Sequence, residues 1–253
     1  ILEHDGKRRE AIELQRQTRD QWVRRDGRKS PFPVRAALAL ATYLTRNDEA
    51  PEAKREAQSA VDDAREAFPR EATIRLTGDA VLADAVARAG DPEGAIPILR
   101  EIVAIRESID DPDSESVIDA RADLADVLGL AKKFAEAESE IRKALDAAAK
   151  IRFADDRRLA QMNLILAQNV QNQFRPAEAE PIYADVARRF AALFPDTPWR
   201  GARIDVYHAR ALRDLGRFEE AEAKLLAALL VLRAEFGPGG RRTRPALEGL
   251  ADL

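Results

Sequence analysis

Arg203, Arg210 and Arg213 stand seven and three residues apart, a spacing that returns all three to one side of a helix. A guanidinium grips a carboxylate or phosphate through two parallel hydrogen bonds, so this row has the chemistry of an anion clamp. Gln161, Gln168 and Gln171 repeat the spacing 42 residues earlier, with Asn172 beside them. An amide donates and accepts at once, and a row of amides can pair with the backbone of an extended peptide whatever its side chains. A further step of 42 leads back to Asp119 and Asp126, and another to Asp84. These carboxylates suit a basic residue on the same ligand. The plain alternative is a set of solvated helix faces that bind nothing.

Covalent and metal chemistry find little support. The chain has no cysteine, which removes disulfides, thiolate metal sites and cysteine nucleophiles. Its two histidines are His4 and His208, and His208 takes a place otherwise held by leucine, so it reads as a satisfied interior residue. The run Asp110, Asp111, Asp113, Glu115 lacks the ordered spacing and internal glycine of a calcium loop and reads as a solvated helix start. The glycines at 237, 239 and 240 follow a helix instead of a strand, so they do not form a phosphate cradle. No catalytic constellation, metal or cofactor is expected, and the segment reads as non-enzymatic. Trp22 reads as core packing and Trp199 as a lid on a neighbouring turn, neither being a stacking platform for bases. Charged residues make up 34% with both signs mixed and a net charge of −4. Nucleic-acid binding would need clustered positive charge. The longest apolar run, 225–232, falls far short of the roughly 18 residues of a membrane span.

The elements that carry these rows are written in two columns. Ala11, Ala53, Ala95, Ala137, Ala179 and Ala221 differ successively by 42 residues, and all but Ala95 follow a glutamate, with Gly94 the exception. A fixed period in this range means a stacked array of supersecondary units. Twelve residues before each anchor lies a second small column, Ala41, Ala83, Ala125, Ala167 and Ala209, continued by Ala251. A residue that must be small marks a close approach of two helices. Leu40, Leu82, Leu124, Leu166 and Leu250 precede it, and Leu44, Val86, Leu128, Val170 and Leu212 follow three residues on, which completes an apolar helical face. Leu99, Ile141, Tyr183 and Leu225 extend the anchor column in the same way. The pattern predicts first helices at about 33–46, 70–89, 114–130, 156–173 and 198–215. Second helices are predicted at about 51–68, 92–109, 134–152, 176–194 and 218–236, with 1–26 one more and a further first helix from about 242. Pro97 and Pro181, two residues after their anchors, predict a kink or a late helix start.

The pattern Leu-Ala, large aliphatic, then GRFEEAEAKLLAA at 216–228 resembles the tetratricopeptide repeat in its 42-residue kinesin-light-chain form, over the whole chain. Glycine at the turn is kept only in Gly6, Gly90 and Gly216. The resemblance implies an all-α, right-handed superhelical solenoid of antiparallel helix pairs with about six repeats, a single array over 1–253. It also implies that first-helix faces line a concave groove for a protein or peptide. That groove would take in Arg35, Thr42, Arg46, Asp84, Arg88, Asp119, Asp126, Gln161, Gln168, Gln171, Asn172, Arg203, Arg210 and Arg213. The expected ligand is extended, with an acidic, phosphorylated or C-terminal carboxylate end at the arginines. The closing stretch 216–253 resembles the repeats that follow the kinase domain in bacterial Ser/Thr protein kinases. Because Ile1 replaces an initiator methionine, the chain reads as a piece of a longer protein. Three roles follow as expectations: a non-catalytic docking arm of a bacterial signalling protein, a substrate-orienting region of a kinase, and the peptide-signal receptor region of a transcriptional regulator. A cytoplasmic location is expected, with no membrane contact.

Overall fold

Alanine sets the spacing of the helices. Ala41, Ala83, Ala125, Ala167 and Ala209, with the anchors Ala53, Ala95, Ala137, Ala179 and Ala221, are each 0% exposed. In a close-packed interior each methyl fills its place, and a longer side chain would drive the paired helices apart. The computed structural model describes residues 2–47, 49–70, 72–151 and 155–253, with the helical backbone alone for residues 2–9. The side chain of His4 therefore lies outside the described residues.

Among the described residues the protein is an all-α repeat array of twelve helices with no strand. They fall into two compact units. The first, Leu2–Lys133, holds α1 (Leu2–Asp26), α2 (Pro31–Arg46), α3 (Ala50–Ala67), α4 (Thr73–Arg88), α5 (Pro92–Ile109) and α6 (Glu115–Leu130). The second, Phe134–Leu253, holds α7 (Phe134–Ile151), α8 (Asp156–Asn172), α9 (Pro176–Leu193), α10 (Trp199–Asp214), α11 (Phe218–Phe236) and α12 (Arg244–Ala251). Leu40, Leu44, Val61 and Leu99 are buried in the first unit, and Ile141, Met162, Leu212 and Leu232 in the second.

The turns obey the same period as the helices, including where glycine is missing. Gly90, Lys132, Phe174 and Gly216 occupy one column, and all have positive φ, at 104°, 60°, 59° and 76°. The amide that follows each one bonds back to a helix carbonyl, Asp91 to Val86, Lys133 to Leu128, Arg175 to Val170 and Arg217 to Leu212. This is a Schellman-type closure. Lys132 and Phe174 hold a left-handed conformation that costs an L-residue about 1–2 kcal/mol. Gly6 does not belong to this column of turns, because it lies within α1.

One sequence expectation, a late helix start at two prolines, is corrected here. Pro97 and Pro181 do not delay their helices, which begin at Pro92 and Pro176 and run on through them. Both prolines are exposed, so the carbonyl each leaves unpaired can meet water. The break in the glutamate column at Gly94 also has a local cause. The Asp91 side chain caps α5 by accepting from the Gly94 amide at 2.9 Å, and a Cβ at Gly94 would lie 2.4 Å from Asp91 Oδ2. Two and three repeats later the same pair of positions holds Arg175 with Glu178 and Arg217 with Glu220, joined by ion pairs.

Candidate functional site

In the second unit the exposed faces of α8 and α10 carry the amide and arginine rows. Arg203 and Arg210 are exposed and form no ion pair among the described residues. Gln161, Gln168 and Asn172 are half-buried, and no described residue bonds their side-chain amides. Tyr207, which the sequence reading passed over, sits between the two arginines on α10 and stacks on Tyr183 of α9 with ring centroids 6.4 Å apart. Burial raises the pKa of the Tyr183 phenol, and Tyr207 adds to this, while the charge of Arg210 works the other way.

Gln171 and Arg213 differ from the rest of their rows. Gln171 is 4% exposed and donates through Nε2 to Asp214 Oδ2. Asp214 in turn accepts from Arg213 Nη2 at 3.0 Å, and Arg213 Nη1 lies 3.4 Å from Asp252. These groups are spent on tying α8, α10 and the end of α12 together. The Gln171–Asp214 bond spans adjacent repeats and so brings the C-terminal ends of the two rows side by side.

His208 is interior, 4% exposed, as its column predicts. Its Nε2 lies 3.0 Å from Glu180 Oε1, yet its Nδ1 is buried with no partner, so it is only half satisfied. Burial lowers its pKa, opposed by the bond to Glu180. Glu180 also meets Arg217 at 3.4 Å, and Glu138 meets Arg175 at 2.7 Å one repeat earlier. Trp199 packs edge-on to Phe236 at 5.2 Å, a lid on the α10–α11 core. Trp22 is half-buried and stacks on Phe32 at 4.8 Å.

In the first unit the acidic positions are already answered. Arg88 donates to Asp84 at 2.6 Å and to Asp126 at 2.8 Å, which joins α4 to α6. Burial alone would lower the Arg88 pKa, but Asp126 and Asp84 hold it above the ordinary arginine value. Asp119 is half-buried and engaged. Thr42 turns its hydroxyl back onto the Leu38 carbonyl at 2.9 Å. The acidic run at the α5–α6 turn serves the turn itself, with Ser116 donating to Asp110 at 2.5 Å and the Asp113 amide to Asp111 at 2.9 Å. Among the described residues no three of His, Cys, Asp and Glu come together to hold a metal ion. Among the described residues no helix is long and apolar enough to cross a membrane.

The family model described as tetratricopeptide repeat matches residues 75–150. Residues 75–150 are tetratricopeptide repeats. Solved structures extend the likeness of fold beyond that segment. The crystal structure of BtubC (BKLC) from P. vanneervenii is similar at a TM-score of 0.69 and 17% identity, over 91% of this chain and 92% of that one. A putative kinesin light chain from Podosopora anserina, with nearly identical repeats of tetratricopeptide type, is similar at 0.60 and 19%, over 80% and 95%. A Rap protein complexed with Competence and Sporulation Factor is similar at 0.59 and 12%, over 87% and 62%. A comparison with curated proteins gives no match.

Proposed function

We propose that this protein is a non-catalytic scaffold and that the α8–α10 face of its second unit binds an extended peptide segment. The observation that carries this reading is the pair Arg203 and Arg210, exposed, seven residues apart on one helix and free of ion pairs among the described residues. An acidic, phosphorylated or C-terminal carboxylate end of the ligand meets these guanidinium groups. Its backbone runs along Gln161, Gln168 and Asn172, whose amides have no other described partner. Gln171, Asp214 and Arg213 hold the two helices in register and do not touch the ligand. The repeat fold supports the scaffold class, and the complex of a similarly folded Rap protein with Competence and Sporulation Factor supports a bound factor on such an array. The role we infer is the docking or sensory arm of a bacterial signalling protein in the cytoplasm.

The test is a titration of wild-type and Arg210→Ala protein against a panel of extended peptides ending in phosphoserine, a free carboxylate or a neutral amide. The acid-ended peptides should bind wild-type protein more tightly, lose affinity as salt rises, and lose it again in the variant. Equal affinity for all ends, or none, removes the reading.

A further inference from the structure

Two columns on the exposed side of the second helices hold polar or small residues in α3, α7 and α9. Outer positions on α3 hold Gln58 and Asp62, on α7 Arg142 and Asp146, and on α9 Ala184 and Arg188. The same two columns on α11 hold Leu226 and Leu230, which are 47% and 73% exposed. Ala223, Ala227 and Ala234 are exposed beside them and complete an apolar stripe along the outer side of α11. The inner side of α11 is already used, with Ala221, Leu225, Ala228, Leu229 and Leu232 buried. A contiguous apolar stripe left exposed on a helix marks a surface that a partner covers.

A further repeat of the same kind would not cover this stripe. Helices α8 and α9 follow α7, and α10 and α11 follow α9, yet Arg142, Asp146, Ala184 and Arg188 remain exposed. The cover must come from another direction. The stripe is bounded by Glu222 near the start of α11 and Arg233 near its end. Both are exposed and neither has an ion-pair partner among the described residues. They are eleven residues apart, about three helical turns, and so share one flank of the stripe.

An acid at one end and a base at the other, on the same flank, is the pattern that an antiparallel copy of the same helix satisfies twice. We propose that the outer face of α11 packs antiparallel against the α11 of a second copy of this chain across a two-fold axis. In that arrangement Leu226 of each copy lies opposite Leu230 of the other, the alanines admit the facing leucines, and Glu222 of each copy meets Arg233 of the other. Such a contact is isologous, the usual form of a homodimer interface.

The test is the oligomeric state of the 253-residue protein by sedimentation velocity over a concentration series, with helicity followed by circular dichroism. Wild-type protein should dimerise, and Leu230→Glu, at an exposed position, should be monomeric with unchanged helicity. Glu222→Arg and Arg233→Glu should each weaken the dimer several-fold. An equimolar mixture of these two variants should form mixed dimers more readily than either forms its own, because each pairing then joins opposite charges. A wild-type protein that stays monomeric at its highest soluble concentration overturns the proposal. So does a dimer indifferent to Leu230→Glu, or charge variants that pair no better mixed than apart.

Discussion

The first-helix faces of the two units use the same repeat positions in opposite ways. In the first unit Asp84 and Asp126 close on Arg88, and the charges there are consumed by the joint between α4 and α6. In the second unit Arg203 and Arg210 stand at the same repeat positions as Asp119 and Asp126 and meet no carboxylate among the described residues. Residue type alone would have made both faces candidate binding rows. The difference lies in what each charge already touches, and two carboxylates that share one guanidinium have part of their charge already balanced within the fold.

The largest expected effect tests what the two faces share. Ala125→Leu in the first unit and Ala209→Leu in the second should each cost about 1–3 kcal/mol of stability by overpacking a closed helix contact. Urea unfolding reads this as a lower midpoint, and an unchanged midpoint in either would mean that its column is not a contact. The next effect separates the faces. Arg210→Ala should weaken an acid-ended peptide by about 1–3 kcal/mol, while Arg88→Ala should leave its affinity unchanged in the same titration. Loss of binding in both variants would erase the contrast between the units.

A smaller effect works in the other direction. Arg88→Ala should lower stability by up to about 1 kcal/mol, since the pairs are partly exposed and screened by water. Added salt should narrow the gap between this variant and wild type, and a gap that does not respond to salt would place the loss in packing instead of charge. The smallest effect concerns the second unit alone. The folded pKa of His208 is depressed below its ordinary 6.5, so the unfolded chain takes up the proton first. Its contribution is therefore whole above about pH 6.5 and is lost as pH falls from there through the folded pKa. His208→Leu, which restores the column residue, should flatten that acid limb in thermal melts. An unaltered limb would assign the pH dependence to other groups.

How much of this could be read in advance divides along the reach of each interaction. The period of 42, the small columns, the helix pairs and the tetratricopeptide likeness were legible in the order of residues, because packing between stacked helices forbids large side chains at fixed places. Even the boundaries followed, with α5 and α11 as expected from Pro92 and Phe218. The helical side on which Gln161, Gln168, Arg203 and Arg210 stand was legible for the same reason, since side-chain direction follows from spacing along one helix. Which of the polar groups were free was not. Gln171 shares its row with Gln168 in sequence, yet it turns inward to Asp214, 43 residues away. Arg88 finds Asp126 at a separation of 38, and His208 finds Glu180 at 28. Such partnerships depend on the register of neighbouring repeats and the rotamers that fit there, which no single helix encodes. The sequence by itself determined where the polar rows stand, and only the tertiary structure decided which members had already been paired.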